Sequence, residues 1–137
     1  MQAAALSALS VASAGTGMAM SLVYALHARS AVPKSWLAAS LLPHVLDSMA
    51  VALPESTRAI ALALGEDAET LPPEEAAALS ARAVRRMIAS TEVPARLHEY
   101  GVTPIMVEEA AQVAAGMPGY ANSELGVDGG ELLQRAL

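Results

Sequence analysis

A chain of 137 residues is long enough for one hydrophobic core, and its formal charge of −6 excludes partners that need clustered cations, such as nucleic acids and anionic membrane surfaces. The chain contains no cysteine, which excludes disulfides and thiolate metal sites. Alanine contributes much of the hydrophobic fraction of 54 %, and only 3 % of residues are aromatic, so the composition favours helices over sheets.

The amino-terminal stretch predicts two apolar helices. Residues 2–14 (QAAALSALSVASA) have high helix propensity and almost no polar face, so we expect other parts of the protein to surround this helix. Residues 15–17 (GTG) end it, and residues 18–29 form the second helix. Serine and glycine interrupt the apolar run, and the basic start of a signal peptide is missing. The pattern therefore predicts a buried helix pair in a cytoplasmic protein, and not a membrane span.

Prolines mark the next helices. Residues 33–53 predict a third helix, which Pro43 is expected to kink or interrupt near Ser40. Pro54 begins a fourth helix, and Gly65 ends it. The fifth helix, within residues 72–90, has the clearest amphipathic pattern, and its predicted buried stripe consists of Leu79, Ala83, Val84, Met87 and Ile88.

The carboxy-terminal part predicts shorter helices. A short helix over residues 94–100 is ended by Gly101, and Thr103 caps a helix that begins at Pro104. The buried stripe predicted for that helix consists of Met106, Ala110, Val113, Ala114 and Met117. The segment GELLQRAL forms the last helix. We therefore predict an all-α, single-domain helical bundle of about seven helices over residues 1–137.

Several short strings occur in the order found in one enzyme family. They are LSVASAGTGMAMSLVYALHARSAVP at residues 9–33, LLPHVL at 41–46, ALG at 63–65, PPEEAA at 72–77, VPARLHEYGV at 93–102 and an acidic LL helix at 131–137. Together they resemble the carboxy-terminal helical domain of the iron-dependent alcohol dehydrogenase family, and more narrowly its maleylacetate reductase branch. The resemblance covers nearly the whole chain and implies the same helical fold.

The resemblance also identifies where the family's metal ligands would lie. Members of the family hold iron or zinc with an aspartate and a histidine on one helix, a histidine on the helix after the glycine break, and a histidine after the turn proline. The chain begins after the first of these helices. Met20 falls at the third ligand position, on the helix after the glycine break. Tyr24 falls at a second histidine of the same helix, and Lys34 falls at the histidine after the proline. A thioether is a poor ligand for a hard divalent ion and an ammonium has no lone pair, so we expect no metal.

The family's nucleotide-binding domain, with its glycine-rich phosphate loop, has no counterpart in these residues. The GTG segment at residues 15–17 joins two predicted helices and lacks the strand and the spacing of a dinucleotide fingerprint. We therefore expect no cofactor and no hydride transfer to or from NAD by this chain alone.

The candidate catalytic residues lie in the stretch from residue 15 to residue 46. Lys34, the single lysine, could polarise a carbonyl or donate a proton, or it could simply point into water. Tyr24 and His27 could carry protons on one helix face, and the alternatives are a core tyrosine and a rim histidine. His44 could be oriented by Asp47 three residues later, or the pair could only satisfy buried polar groups.

Two further residues are candidates for substrate binding. Trp36 could line an apolar site or hold a cation over its ring, and it is equally suited to packing in an interface with another part of the protein. Met20 could line the same site, although a methionine at helical spacing is a core residue by default. Asp47 completes the predicted substrate-binding set.

Two functions fit these residues. The first is a stand-alone, metal-free and cofactor-free protein that holds an apolar, carbonyl-bearing small molecule and acts as a non-redox biosynthetic enzyme of cyclase, isomerase or dehydratase type. The second is a non-catalytic subunit that pairs with a separate nucleotide-binding chain. A homodimer is compatible with both functions.

Overall fold

The computed structural model describes residues 1–121, 123 and 125–137 of the chain. These residues form seven α-helices and one short 3-10 helix, and no strand occurs among them, so the predicted all-α fold is confirmed. The α-helices are α1 (Gln2–Ala14), α2 (Met18–His27), α3 (Lys34–Ala52), α4 (Pro54–Ala63), α5 (Pro73–Ala89), α6 (Pro104–Ala115) and α7 (Gly129–Ala136), and the 3-10 helix is Leu97–Tyr100.

Most helix boundaries follow from local signals in the sequence. The prolines at the starts of α4, α5 and α6 cost no hydrogen bond, because the first N–H groups of a helix have no partner within it. The Thr103 side chain accepts a hydrogen bond from the N–H of Met106 at 3.3 Å and so caps α6. Gly65 and Gly101 have φ values of 83° and 79°, a conformation that ends a helix at little cost only for glycine.

The predicted interruption of the third helix is wrong. α3 continues from Lys34 to Ala52 with Pro43 buried inside it. Proline removes one hydrogen bond within the helix. Because α3 packs against α2, α4, α5 and α7, tertiary contacts along its length outweigh that loss.

The main core lies where α2, α3, α6 and α7 meet. It contains the fully buried leucines at positions 22, 26, 37, 41, 132 and 133 together with small residues of α6. α4 and α5 pack mainly through alanine: Ala61, Ala76, Ala77 and Ala81 are completely buried. Small side chains let these helix backbones approach closely, which is how a chain with few aromatic residues fills its core.

Two residues that were predicted to lie in buried helix stripes are exposed instead. Met87 is 57 % exposed and Val113 is 44 % exposed, whereas Val107 of α6 is fully buried. On α5 the alanine face, rather than the face with the largest side chains, turns inward because it allows the closer approach to α4 and α3. The larger side chain of Met87 is therefore left at the surface.

The expectation that other parts of the protein surround the first helix is also wrong. Every residue from Met1 to Ser13 is exposed, and the main helix packings all involve other helices. α2 is buried in the core as predicted. Among the described residues, no single helix is long and apolar enough to cross a membrane; α1 and α2 reach the required length and composition only as a pair bent by 101°.

Candidate functional site

Lys34 and Tyr24 meet where α2 ends and α3 begins. The Lys34 Nζ atom lies 5.4 Å from the centre of the Tyr24 ring, a favourable distance for a cation over an aromatic face. Both side chains are exposed. The structure therefore brings together two of the three residues that the family resemblance assigns to former ligand positions.

His27 stabilises the turn that holds this pair in place. Its Nδ1 atom lies 2.8 Å from the carbonyl oxygen of Val32. Because a carbonyl can only accept, Nδ1 carries the proton, and Nε2 of the neutral ring keeps its lone pair. His27 is exposed, so this lone pair can accept a proton from a bound molecule or from water.

An apolar groove runs between α2 and α3 beside the Lys34–Tyr24 pair. Its volume is about 390 Å³, within the range of small-molecule sites. Met20 lines it, and Val23 and Ser35, the chain neighbours of Tyr24 and Lys34, line it as well. Lys34 and Tyr24 are thus adjacent in sequence to lining residues of an almost wholly apolar groove, although neither lines it itself.

The sequence analysis did not single out the groove residues of α3. Ser35, Ala38, Ala39 and Leu42 line the groove and follow the i, i+3, i+4, i+7 spacing of one helix face. That spacing was a usable signal, but alanine and serine are too common in this chain for the pattern to stand out. Ser35 adds a hydroxyl to the groove.

Trp36 lies on another side of α3. It follows Lys34 by two residues, which is roughly 200° around a helix. Its ring packs against Tyr100 with centroids 5.8 Å apart, and both rings line a different recess with Pro94 and Glu99. Lys34 lies over the Tyr24 ring instead of the Trp36 ring. Trp36 therefore neither lines this groove nor holds the Lys34 cation, the two roles predicted for it at a substrate site.

Tyr100 is held by a polar network inside that second recess. Its hydroxyl lies 2.8 Å from Ser40 Oγ and donates to the carbonyl of Pro94 at 2.6 Å. Burial raises the pKa of the Tyr100 hydroxyl, and the hydrogen bond from Ser40 opposes this effect. The network fixes the Tyr100 ring against Trp36 and leaves the neutral phenol as the favoured form.

His44 and Asp47 lie away from the Lys34–Tyr24 pair. Ten residues separate Lys34 from His44 on α3, a distance of about 15 Å along the axis. Burial, followed by the nearby Arg85 cation, lowers the pKa of His44. Both carboxylate oxygens of Asp47 accept hydrogen bonds from Arg85, so its ion pair is with that residue and not with His44. The structure does not bring His44 or Asp47 to the groove.

The residues that the family resemblance assigns to the ligand positions do not fit a divalent metal. The described part of the chain contains no group of three or more histidine, aspartate or glutamate side chains that could hold one. An ammonium, a phenol and a thioether stand at positions 34, 24 and 20, and the ammonium repels a cation. The GTG segment joins α1 to α2, as predicted, so it lacks the strand that precedes a dinucleotide-binding loop.

Comparisons with known proteins agree with this fold. Residues 1–124 match the family described as "Fe-containing alcohol dehydrogenase family, C-terminal". A crystal structure of 1,3-propanediol oxidoreductase is similar to 90 % of this chain with a TM-score of 0.82 and 23 % identity, and an alcohol dehydrogenase from Oenococcus oeni is similar to 88 % of it with a TM-score of 0.79 and 24 % identity. No curated protein sequence matches.

The chain spans about a third of the length of these two proteins, 33 % of the first and 32 % of the second. At such identities the likeness concerns the fold alone. The family match, in contrast, covers most of the chain. This chain therefore belongs to the Fe-containing alcohol dehydrogenase family, as a C-terminal domain.

Proposed function

We propose that the chain binds an apolar, carbonyl-bearing small molecule in the groove between α2 and α3 and promotes a non-redox reaction of it, such as an isomerisation, a cyclisation or a dehydration, without metal or cofactor. The observation that carries the proposal is the Lys34 ammonium, held 5.4 Å from the Tyr24 ring beside an apolar groove of about 390 Å³. The groove supplies room for the carbon skeleton, and the pair supplies polar groups at one place.

Lys34 is suited to stabilising a carbonyl oxygen. Its ammonium has three N–H donors, and the Tyr24 hydroxyl is a further donor. When a proton leaves the carbon next to a carbonyl, negative charge develops on the oxygen, and a cation already in place lowers the energy of that state. Tyr24 restricts the position of the ammonium, because the cation is attracted to the ring face.

The Nε2 atom of His27 is suited to accepting the proton. It keeps its lone pair because Nδ1–H is bound to the Val32 carbonyl. In an isomerisation, His27 would take a proton from one carbon and return it to another, so that the atoms balance without an oxidant or reductant. The apolar walls, among them Met20 and Val23, would orient the molecule for this transfer.

The test compares a medium-chain ketone with the hydrocarbon of the same shape, using NMR titration of the groove residues. Lys34→Ala is expected to weaken binding of the ketone about tenfold or more, the loss of one hydrogen bond to a charged group, and to leave hydrocarbon binding unchanged. Ala38→Trp fills the groove and is expected to abolish binding of both. Arg82→Ala removes an exposed cation of α5 and serves as the control.

Equal ketone affinity of the Lys34→Ala variant and the unchanged chain would contradict the proposed role of Lys34. For the catalytic step, Lys34→Ala and Tyr24→Phe are expected to abolish turnover of a substrate while helicity and the unfolding midpoint stay the same. Iron or zinc present in stoichiometric amount in the purified protein would contradict the metal-free part of the proposal.

A second function is supported by the exposed apolar side chains of α1. In this alternative, the chain is a non-catalytic subunit that pairs with a separate nucleotide-binding chain. It predicts that ketone binding is absent in the isolated chain and that hydride transfer begins only when the two chains are mixed.

A further inference from the structure

We propose that α1 of one copy docks in an apolar groove of a second copy, so that two copies exchange their first helices and form a dimer. The docking groove lies between α3 and α5, next to the α2–α3 groove discussed above. The two grooves share Ala39 and Leu42 on α3. The proposal nevertheless does not rest on the proposed function, because it is tested by assembly instead of ligand binding.

α1 lacks the cover that its composition requires. Leu6 and Leu9 are 65 % and 63 % exposed, and the helix carries no charged side chain. An isolated helix of 13 residues is only marginally stable in water. An apolar helix of this kind is stable when another surface covers it.

The docking groove is an apolar recess that is larger than the α2–α3 groove. Its volume is about 530 Å³, and its lining residues are uncharged. Leu42, Leu64, Val84, Met87, Ile88 and Val93 supply its apolar walls. Leu42 and Met87 remain 43 % and 57 % exposed, so the groove presents apolar surface to water.

The helix and the groove match in chemistry and in shape. Leu6 and Leu9 lie three residues apart and form a ridge along one face of α1, which is about 20 Å long. A ridge of leucines is the surface that enters a hydrophobic groove in helix recognition. Because neither surface carries a charge, docking takes no charged side chain out of water.

A second copy is the occupant that covers both surfaces at once. Each copy has the uncovered helix α1 and the uncovered docking groove, so a reciprocal exchange about a twofold axis closes the assembly. Leu6 and Leu9 with Leu42, Leu64 and Met87, counted in both copies, would bury on the order of 1,000 Å². The alanines of α1 add to this area, which brings it to the range of about 1,200 Å² where specific interfaces begin.

The connection between α1 and α2 suits such an exchange. Gly15 has a φ of 74°, and the two helices diverge by 101°. A Cβ atom at Gly119 would lie 2.5 Å from the carbonyl oxygen of Thr16, so Thr16 packs tightly on the loop after α6. The start of α2 is therefore fixed to the domain, while α1 points away from it.

The absence of cysteine from the sequence makes cross-linking a direct test. Copies with Leu9→Cys and copies with Met87→Cys are purified, mixed and oxidised. We expect a disulfide between the two kinds of copy. In the control, copies with Val51→Cys replace the Met87→Cys copies. Val51 is 86 % exposed but lies outside the groove, so the Val51→Cys copies are expected to cross-link to Leu9→Cys copies far less.

The double variant Leu9→Cys/Met87→Cys separates exchange from docking within one chain. Covalent dimers are expected under oxidation. Cross-linked monomers would show that α1 covers the groove of its own chain and would overturn the proposal, as would equal cross-linking of the Val51→Cys control.

Sedimentation of the full chain at micromolar concentration provides an independent measurement. The unchanged chain is expected to be a dimer, and Leu6→Asp/Leu9→Asp to be a monomer with unchanged helicity outside α1. Val11 lies on the opposite side of the same helix, about 170° from the direction midway between Leu6 and Leu9. The Val11→Asp variant is therefore expected to remain dimeric. A monomeric unchanged chain would overturn the proposal and leave α1 to another partner, and so would a dimer that survives the charges at Leu6 and Leu9.

Discussion

His44 is the histidine whose protonation the fold opposes. Burial lowers its pKa below the ordinary 6.5, and the Arg85 cation adds to this effect while Asp47 opposes it. The unfolded chain therefore binds a proton at a higher pH than the folded chain, so the free energy of unfolding falls as the pH drops below about 6.5. We expect the unchanged chain to lose more stability between about pH 7.5 and pH 5 than the His44→Gln variant, measured by urea unfolding. Parallel pH profiles for the two chains would contradict this.

At the scale of elements, α7 depends on the cap at its amino terminus. The Asp128 side chain accepts hydrogen bonds from the N–H groups of Gly130 at 2.8 Å and Glu131 at 3.4 Å, and the helix then buries Leu132 and Leu133 in the main core. Asp128→Ala is expected to lower the free energy of unfolding by roughly 1 kcal/mol, because two N–H groups lose their acceptor. Asp128→Asn keeps an acceptor and is the control in the same urea experiment; an equal loss in both variants would point to the charge instead of the cap.

At the scale of the whole molecule, α1 is separable from the bundle. The core of α2, α3, α6 and α7 and the alanine contacts of α4 and α5 do not include it. A chain without residues 1–14 is expected to unfold cooperatively at a midpoint that is independent of protein concentration. The full chain, as an exchanged dimer, gains about 1.4 kcal/mol per tenfold increase in concentration, visible as a rising midpoint in calorimetry. A midpoint that does not shift for the full chain would contradict the dimer.

The groove was only partly predictable. The resemblance to the family identified Met20, Tyr24 and Lys34; Met20 lines the groove, and the other two contact each other and follow or precede a lining residue by one position. Trp36 and the pair His44 and Asp47 were expected nearby and lie elsewhere. Their positions depend on which way α3 is rotated, and Pro43 was expected to break that helix before His44. A continuous α3 carries His44 about 15 Å from Lys34.

The sequence by itself predicted most of the helices with their starts and stops, and its family resemblance assigned Met20, Tyr24 and Lys34 to the positions of metal ligands. These features are local: a proline, a glycine or a capping threonine acts on the few residues around it. Only the tertiary structure decided that α1 is uncovered, that Met87 faces the surface and that Asp47 pairs with Arg85, 38 residues away. Alanine-rich helices present several nearly equivalent faces to one another, so the face that is buried is set by how closely whole helices can pack, and no single segment contains that information.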